Sequence, residues 1–255
     1  MSARHFPATT ARLIRRAVFL APIVALLSGC VWLRLLDTQR QISEFDQHFY
    51  VESGEHFILH FLHPKLYSDD FVTLSGVKPS HVAPLSEGQR WRLNFRKIDA
   101  QRNTSAAKDL AFDLTFNPAN LLVRWDFPPE FLAIAPAEFL EASLRSLGKA
   151  KINEGKQQLS ADASTLPTLN NALPEVSHVT KTLGEPLEVE NRPDGQLYVY
   201  RYLLDGVAVD EAHEKNREAV AKLLFDPVTH RLLKMSGRFA GLKISIDYRR
   251  FNEAS

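Results

Sequence analysis

Along three consecutive stretches of this chain, apolar and polar residues alternate one by one, and that period of two restricts the fold more than any other feature. Trp91, Leu93 and Phe95 alternate with Arg90, Arg92, Asn94 and Arg96, while Leu110, Phe112, Leu114 and Phe116 alternate with smaller or polar residues. Beyond Asn117-Pro118-Ala119-Asn120, a run of turn-forming residues, the pattern resumes at Leu121, Val123, Trp125 and Phe127. Such a pair of stretches predicts a hairpin with one face on a core and the other in water. Residues 197–204, 221–225, 231–236 and 242–248 read as further antiparallel strands, with Asp226-Pro227 as a turn. Helical spacing occurs elsewhere: Phe139, Leu140, Leu144 and Leu147 share a face stopped by Gly148, and residues 169–183 read as one helix or two around Pro174, ended by Gly184. The expected class is α+β, with two antiparallel-sheet units and packed helices.

The amino terminus carries a different signal. Arg12, Arg15 and Arg16 precede an apolar run over residues 17–27, the layout of a secretory signal and too short to span a bilayer. The run ends in Leu27-Ser28-Gly29-Cys30, which resembles the lipobox of bacterial lipoproteins. That resemblance implies lipid on the Cys30 sulfur, cleavage after Gly29 and a membrane partner reached through the acyl chains. Val31 follows where the family's inner-membrane members commonly carry Asp, so the resemblance favours the outer membrane, facing the periplasm, over the inner membrane. The rival reading is an uncleaved span over residues 17–36, weakened by Pro22 and Arg34. Cys30 is the only cysteine, so the core holds without an intramolecular disulfide.

These signals divide the chain into a signal peptide at 1–29, a lipidated Cys30 with an amphipathic tether helix at 30–52, and a β-rich domain ending in a helix at 53–152. A polar linker at 153–168 and a helix-plus-sheet domain at 169–255 complete it. In the tether, Leu35, Ile42, Phe45 and Phe49 recur at helical spacing among mixed charges, which favours packing on the protein over lying on a membrane. The two halves also echo one another. Leu114-Thr115-Phe116-Asn117-Pro118 corresponds to Leu223-Leu224-Phe225-Asp226-Pro227, and Leu147-Gly148-Lys149-Ala150 to Leu183-Gly184-Glu185-Pro186. A duplication would produce this; so would turn residues shared by unrelated hairpins.

Residues 173–176, Leu183-Gly184-Glu185-Pro186, Tyr198-Val199-Tyr200 and Leu223-Leu224-Phe225-Asp226 resemble the BamE-like small outer-membrane lipoproteins over the last third of the chain. The Gly-Met common at the start of that family's helical segment is absent. The resemblance implies helices on a three-stranded antiparallel sheet and an accessory role in envelope assembly.

No residue pattern points to catalysis or a cofactor. His56, His60 and His63 form the one histidine cluster, but the apolar residues between them suggest a strand, which would hold His56 and His60 about 13 Å apart, too far to share a metal ion. Asp210-Glu211-Ala212-His213 has the letters of a helicase box without any phosphate-binding loop, and reads as a solvated segment. Asp69-Asp70 reads as an exposed turn. A net charge of +1 provides no field for nucleic acid. Two surfaces are candidates for an envelope protein partner: a basic stripe of Arg90, Arg92 and Arg96, and a tyrosine stripe of Tyr198, Tyr200 and Tyr202. For each, ordinary sheet packing or a solvated face is the competing account. The expected role is a non-catalytic adaptor or assembly accessory, with a carrier of an apolar ligand between sheet and helix as the alternative.

Overall fold

The computed structural model describes residues 31, 33–101, 103–163, 173–239 and 241–249. The expected signal peptide, Cys30 and residues 164–168 of the expected linker lie outside the described residues.

Residues 33–43 form helix α1, followed by α2 (Phe45–His48), β1 (Phe49–Ser53) and β2 (Phe57–Phe61). A first unit runs through α3 (Ser68–Ser75), β3 (His81–Pro84), β4 (Gln89–Ile98), β5 (Thr104–Phe116) and β6 (Leu122–Asp126). Then come α4 (Glu130–Ile134), α5 (Ala137–Ser146), β7 (Lys151–Asn153) and β8 (Gln158–Asp162). A second unit comprises α6 (Val176–Leu183), β9 (Glu188–Arg192), β10 (Gly195–Leu204), β11 (Glu218–Phe225) and β12 (Leu232–Phe239), and β13 (Leu242–Asp247) follows. The class is α+β.

The thirteen strands among the described residues belong to one sheet, ordered β1-β2-β6-β5-β4-β10-β11-β12-β13-β8-β7, with β3 beside β4 and β9 beside β10. The two expected sheet units are thus joined edge to edge, β4 antiparallel to β10 with Phe95 opposite Leu204 and Lys97 opposite Tyr202. The segment expected as a linker is partly strand, since β8 pairs in parallel with β13. Its buried side chains are Ala161 and Ala163, 6% and 0% exposed. Methyl-sized groups fit where layers approach closely but leave little hydrophobic pattern to read.

The sheet is strongly curled. Three strands separate β5 from β12, so a flat sheet would hold them about 19 Å apart. Yet the Phe239 ring lies 5.3 Å from Phe112 and 4.9 Å from Phe95. The concave face gathers one continuous core from both units, including Leu93, Phe116, Tyr200 and Phe225. The convex face carries a small apolar cluster of Leu197, Val199, Leu224 and Leu233.

The two units repeat one design down to its irregular positions. Helix α3 ends at Gly76 in the left-handed conformation (φ +66°, ψ 15°), and α6 ends at Gly184, also at positive φ (+73°) but with an extended ψ of −171°, both positions suited to glycine. Gly88 and Gly195 both have positive φ, and a Cβ there would stand 2.0 Å from the Phe116 carbonyl oxygen and 2.4 Å from that of Phe225. Trp91 opposes Leu114 and touches Phe116 at 4.9 Å; Tyr198 opposes Leu223 and touches Phe225 at 5.3 Å. Asn117 Oδ1 accepts from Ala119 N and Leu121 N, as Asp226 Oδ1 accepts from Val228 N and Thr229 N. Asn120 and His230 have φ near +60°, and their carbonyls accept from Ser68 N and Val176 N at the two helix starts. So many matched exceptions identify a tandem repeat related by an approximate two-fold axis between β4 and β10. The Leu147-Gly148 part of the sequence echo does not belong to it: Gly184 corresponds to Gly76, whereas Gly148 sits in a 3-10 turn where a Cβ would meet Ser43 N at 2.6 Å.

Each unit completes the helix end of the other. The last carbonyls of α3 are met from the second unit, Ser75 O by Asn216 Nδ2 and Gly76 O by Val209 N. At α6, Lys97 Nζ of the first unit donates to Leu183 O and Glu185 O at 2.6 and 2.5 Å. Helix-terminal carbonyls left without such donors would be costly.

Candidate functional site

The two units differ in how their helix meets the sheet. Beneath α3 is a cavity of about 140 Å³, with Leu35, Phe71, Leu74, Leu114, Phe116 and Phe239 among its wall. Leu35 comes from α1, Phe71 and Leu74 from α3, Leu114 and Phe116 from β5, and Phe239 from β12, so both units and the tether build it. An apolar void near this size can stay dry and accept a benzene-sized guest.

Tyr67 and Asp70, also in the wall, mark its polar end. The Asp70 side chain is only 3% exposed and pairs with Arg34, whose Nε donates to Oδ2 at 2.7 Å and whose Nη2 donates to Oδ1. Tyr67 N also donates to Asp70 Oδ2, at 2.9 Å, holding the carboxylate over the start of α3. The Arg34 guanidinium lies 5.3 Å from the Tyr67 ring centroid. The exposed turn expected at Asp69-Asp70 is therefore corrected: Asp69 is exposed, but Asp70 turns inward because a first-turn carboxylate can accept backbone N–H groups and Arg34 neutralises it. The legible signal was an acidic residue two positions after a helix-starting Ser68.

The matching place in the second unit is built differently. Val179, Leu183, Phe225 and Leu232 are at most 5% exposed, and α4 lies against α6. Tyr200 OH donates to Gly184 O at 3.2 Å, and Lys97 Nζ lies 5.3 Å from the Tyr200 ring centroid. Burial holds the Lys97 ammonium below its ordinary value, Lys108 adds to this, and Glu185 opposes it.

The tyrosine stripe expected as a contact surface faces the wrong way for one. Tyr200 is 0% and Tyr202 3% exposed, and Tyr198 is half-buried against Phe225. The cause is the β4–β10 joint, which places this face of β10 on the concave side shared with Trp91, Leu93 and Phe95. Burial pushes the Tyr200 and Tyr202 hydroxyls above their ordinary range. The basic stripe does face outward, but Arg92 is bonded to Asp113 at 2.9 and 2.7 Å and Arg96 to Asp205 at 2.8 Å. Arg90 is exposed beside them.

Of the three histidines expected on one strand only His60 lies on β2, bonded to Glu52 at 2.9 Å and stacked on Tyr50 at 4.2 Å, while His56 precedes the strand and His63 follows it. His63 meets His48 instead, Nδ1 to Nδ1 at 3.2 Å, a pairing of distant residues that spacing could not reveal. Among the described residues, no group of three or more His, Cys, Asp or Glu is placed to hold a metal ion. Residues Glu211–Arg217 form a solvated 3-10 helix begun by Asp210, whose side chain accepts from His213 N at 3.1 Å. A second recess, beside α2 and α5, is lined by Asp46, Arg145 and Lys149. Arg145 saturates it, pairing with Asp46 and Glu141 and drawing the Asp46 carboxyl below its ordinary value.

Among the described residues no helix is long and apolar enough to cross a membrane. Comparison with protein-family models, curated proteins and solved structures finds no match to this chain.

Proposed function

We propose that this protein is an envelope lipoprotein, anchored through Cys30, that receives an apolar chain between its curled sheet and helices α1 and α3, without catalysis. The observation that carries this reading is the apolar cavity lined by α1, α3, β5 and Phe239. An apolar void costs stability that a guest filling it would recover. Its position supports a membrane-derived guest, because Leu35 in the wall lies five residues after Cys30 in the chain. The BamE-like accessory role suggested by the sequence is compatible with such a protein. An adaptor role through Tyr198, Tyr200 and Tyr202 would need a different surface, since two of these rings are core.

The test is binding of a dansylated fatty acid to the purified protein, read by energy transfer from tryptophan, since Trp125 is in the wall and Trp91 touches Phe116. Saturable one-to-one binding, abolished by Leu74→Phe, is expected. Absence of saturable binding, or binding indifferent to that substitution, would rule the cavity out as the site. A cavity of about 140 Å³ accommodates only a chain end of about five methylenes, worth roughly 4 kcal/mol and so millimolar affinity. A useful carrier must enclose more.

A further inference from the structure

We propose that the first turn of α1 is a lid over this cavity, latched by Arg34 on Asp70, and that lifting it admits a whole acyl chain. The inference rests on the binding role proposed above and adds how the site opens. The argument begins with how unevenly α1 is held. Its later part is clamped by side chains reaching unrelated backbone: Gln39 Nε2 donates to Leu147 O at 3.2 Å and Ala150 O at 2.8 Å, and Gln41 Nε2 donates to His63 O at 2.8 Å. Its first turn rests on the cavity itself, with Leu35 in the wall and Arg34 gripping Asp70 above the Tyr67 ring.

Latch and clamp are five residues apart, about 7.5 Å along a helix. Between them Thr38 Oγ1 donates to Arg34 O at 2.9 Å, a back-bond to the previous turn that loosens and bends helices. Lifting the first turn would withdraw Leu35 and widen the cavity at the amino-terminal end of α1, while the clamp at Gln39 and Gln41 keeps the helix attached. The latch biases the lid shut, because a carboxylate as buried as Asp70 is costly without its cation. Water or an incoming polar headgroup must meet Asp70 as the turn lifts. The lipid attachment proposed at Cys30 lies four residues before the latch residue Arg34 in the chain.

Thiol labelling reads the lid without any ligand. A cysteine at Leu114, 2% exposed in the cavity wall, reacts when the lid lifts or the protein unfolds. A cysteine at Val179, 1% exposed beneath α6, reacts only on unfolding. Both would be placed in the full membrane-anchored protein, with any reaction at Cys30 subtracted using the parent chain. Asp70→Asn keeps an acceptor oxygen for Tyr67 N and removes the charge pair; Arg34→Gln removes it from the other side. Each should raise Leu114→Cys labelling at least tenfold, leave Val179→Cys labelling unchanged, and speed dansylated fatty acid uptake from vesicles. Equal acceleration at both cysteines would make the pair a general stabiliser and overturn the lid. No acceleration at either would also overturn it. Selective labelling at Leu114→Cys with no fatty acid binding by any form would uphold the lid and defeat the proposed ligand.

Discussion

The first repeat, from α3 to β6, and the second, from α6 to β12, share turns and strand pairing, yet a cavity lies beneath the helix of the first while a further helix, α4, packs on that of the second. The difference comes from what lies outside the repeat. In the second unit α4 presses on α6, and α6 is tied down by Lys97, Lys108 and Tyr200. In the first unit the space around α3 is closed by α1 and by Phe239 from across the curled sheet. A repeated unit can thus keep its backbone logic and still differ through the elements added around it.

The largest expected effects fall where the repeats are alike. Leu93 and Tyr200 lie on the concave face, both 0% exposed. Leu93→Ala should cost about 2–5 kcal/mol and Tyr200→Ala about 3–5 kcal/mol in chemical denaturation. Because the units share one core and cap each other's helices, each variant should unfold in a single transition with the slope of the parent. Two separated transitions would break the shared-core account, and a nearly neutral Tyr200→Ala would return that ring to the surface.

A smaller pair of changes sharpens the contrast. Val179→Leu adds a methylene at a position 1% exposed beneath α6 and should destabilise by about 1–3 kcal/mol. Leu74→Phe adds volume beside the cavity and should be neutral or stabilise by about 1 kcal/mol, while displacing the guest. Thermal melts of both variants check this, and equal losses in the two would mean that the cavity is no roomier than its counterpart.

The smallest effect concerns acid. The N–H groups of Thr229 and then Val228 hold the Asp226 carboxyl below its ordinary value, whereas Asn117 makes the matching turn without a titratable group. A carboxylate with a lowered folded-state pKa contributes stability that is present above its unfolded value and lost as pH falls through the folded one. Melting temperatures followed downward from pH 5 should therefore fall less steeply in Asp226→Asn than in the parent, with Asn117→Asp gaining acid sensitivity. Parallel curves for all three proteins would remove any distinction between the turns.

Much of this was legible in the residues. Period-two runs, Asn117-Pro118, Asp226-Pro227 and the glycines after the helices state where strands lie and chains turn, because those choices depend on neighbours a few residues away. The outward direction of Arg90, Arg92 and Arg96 followed from the same alternation. Alternation, however, says only that two faces differ, not what covers either. The burial of Tyr200 was decided by the β4–β10 joint, and the strand at β8 by its parallel partner β13. Asp70 turned inward because Arg34, far away in the chain, meets it, and the cavity exists because curling brings Phe239 to Phe112. Local chemistry determined the repeating unit; long-range pairing alone determined how two copies close on one another and what space they leave.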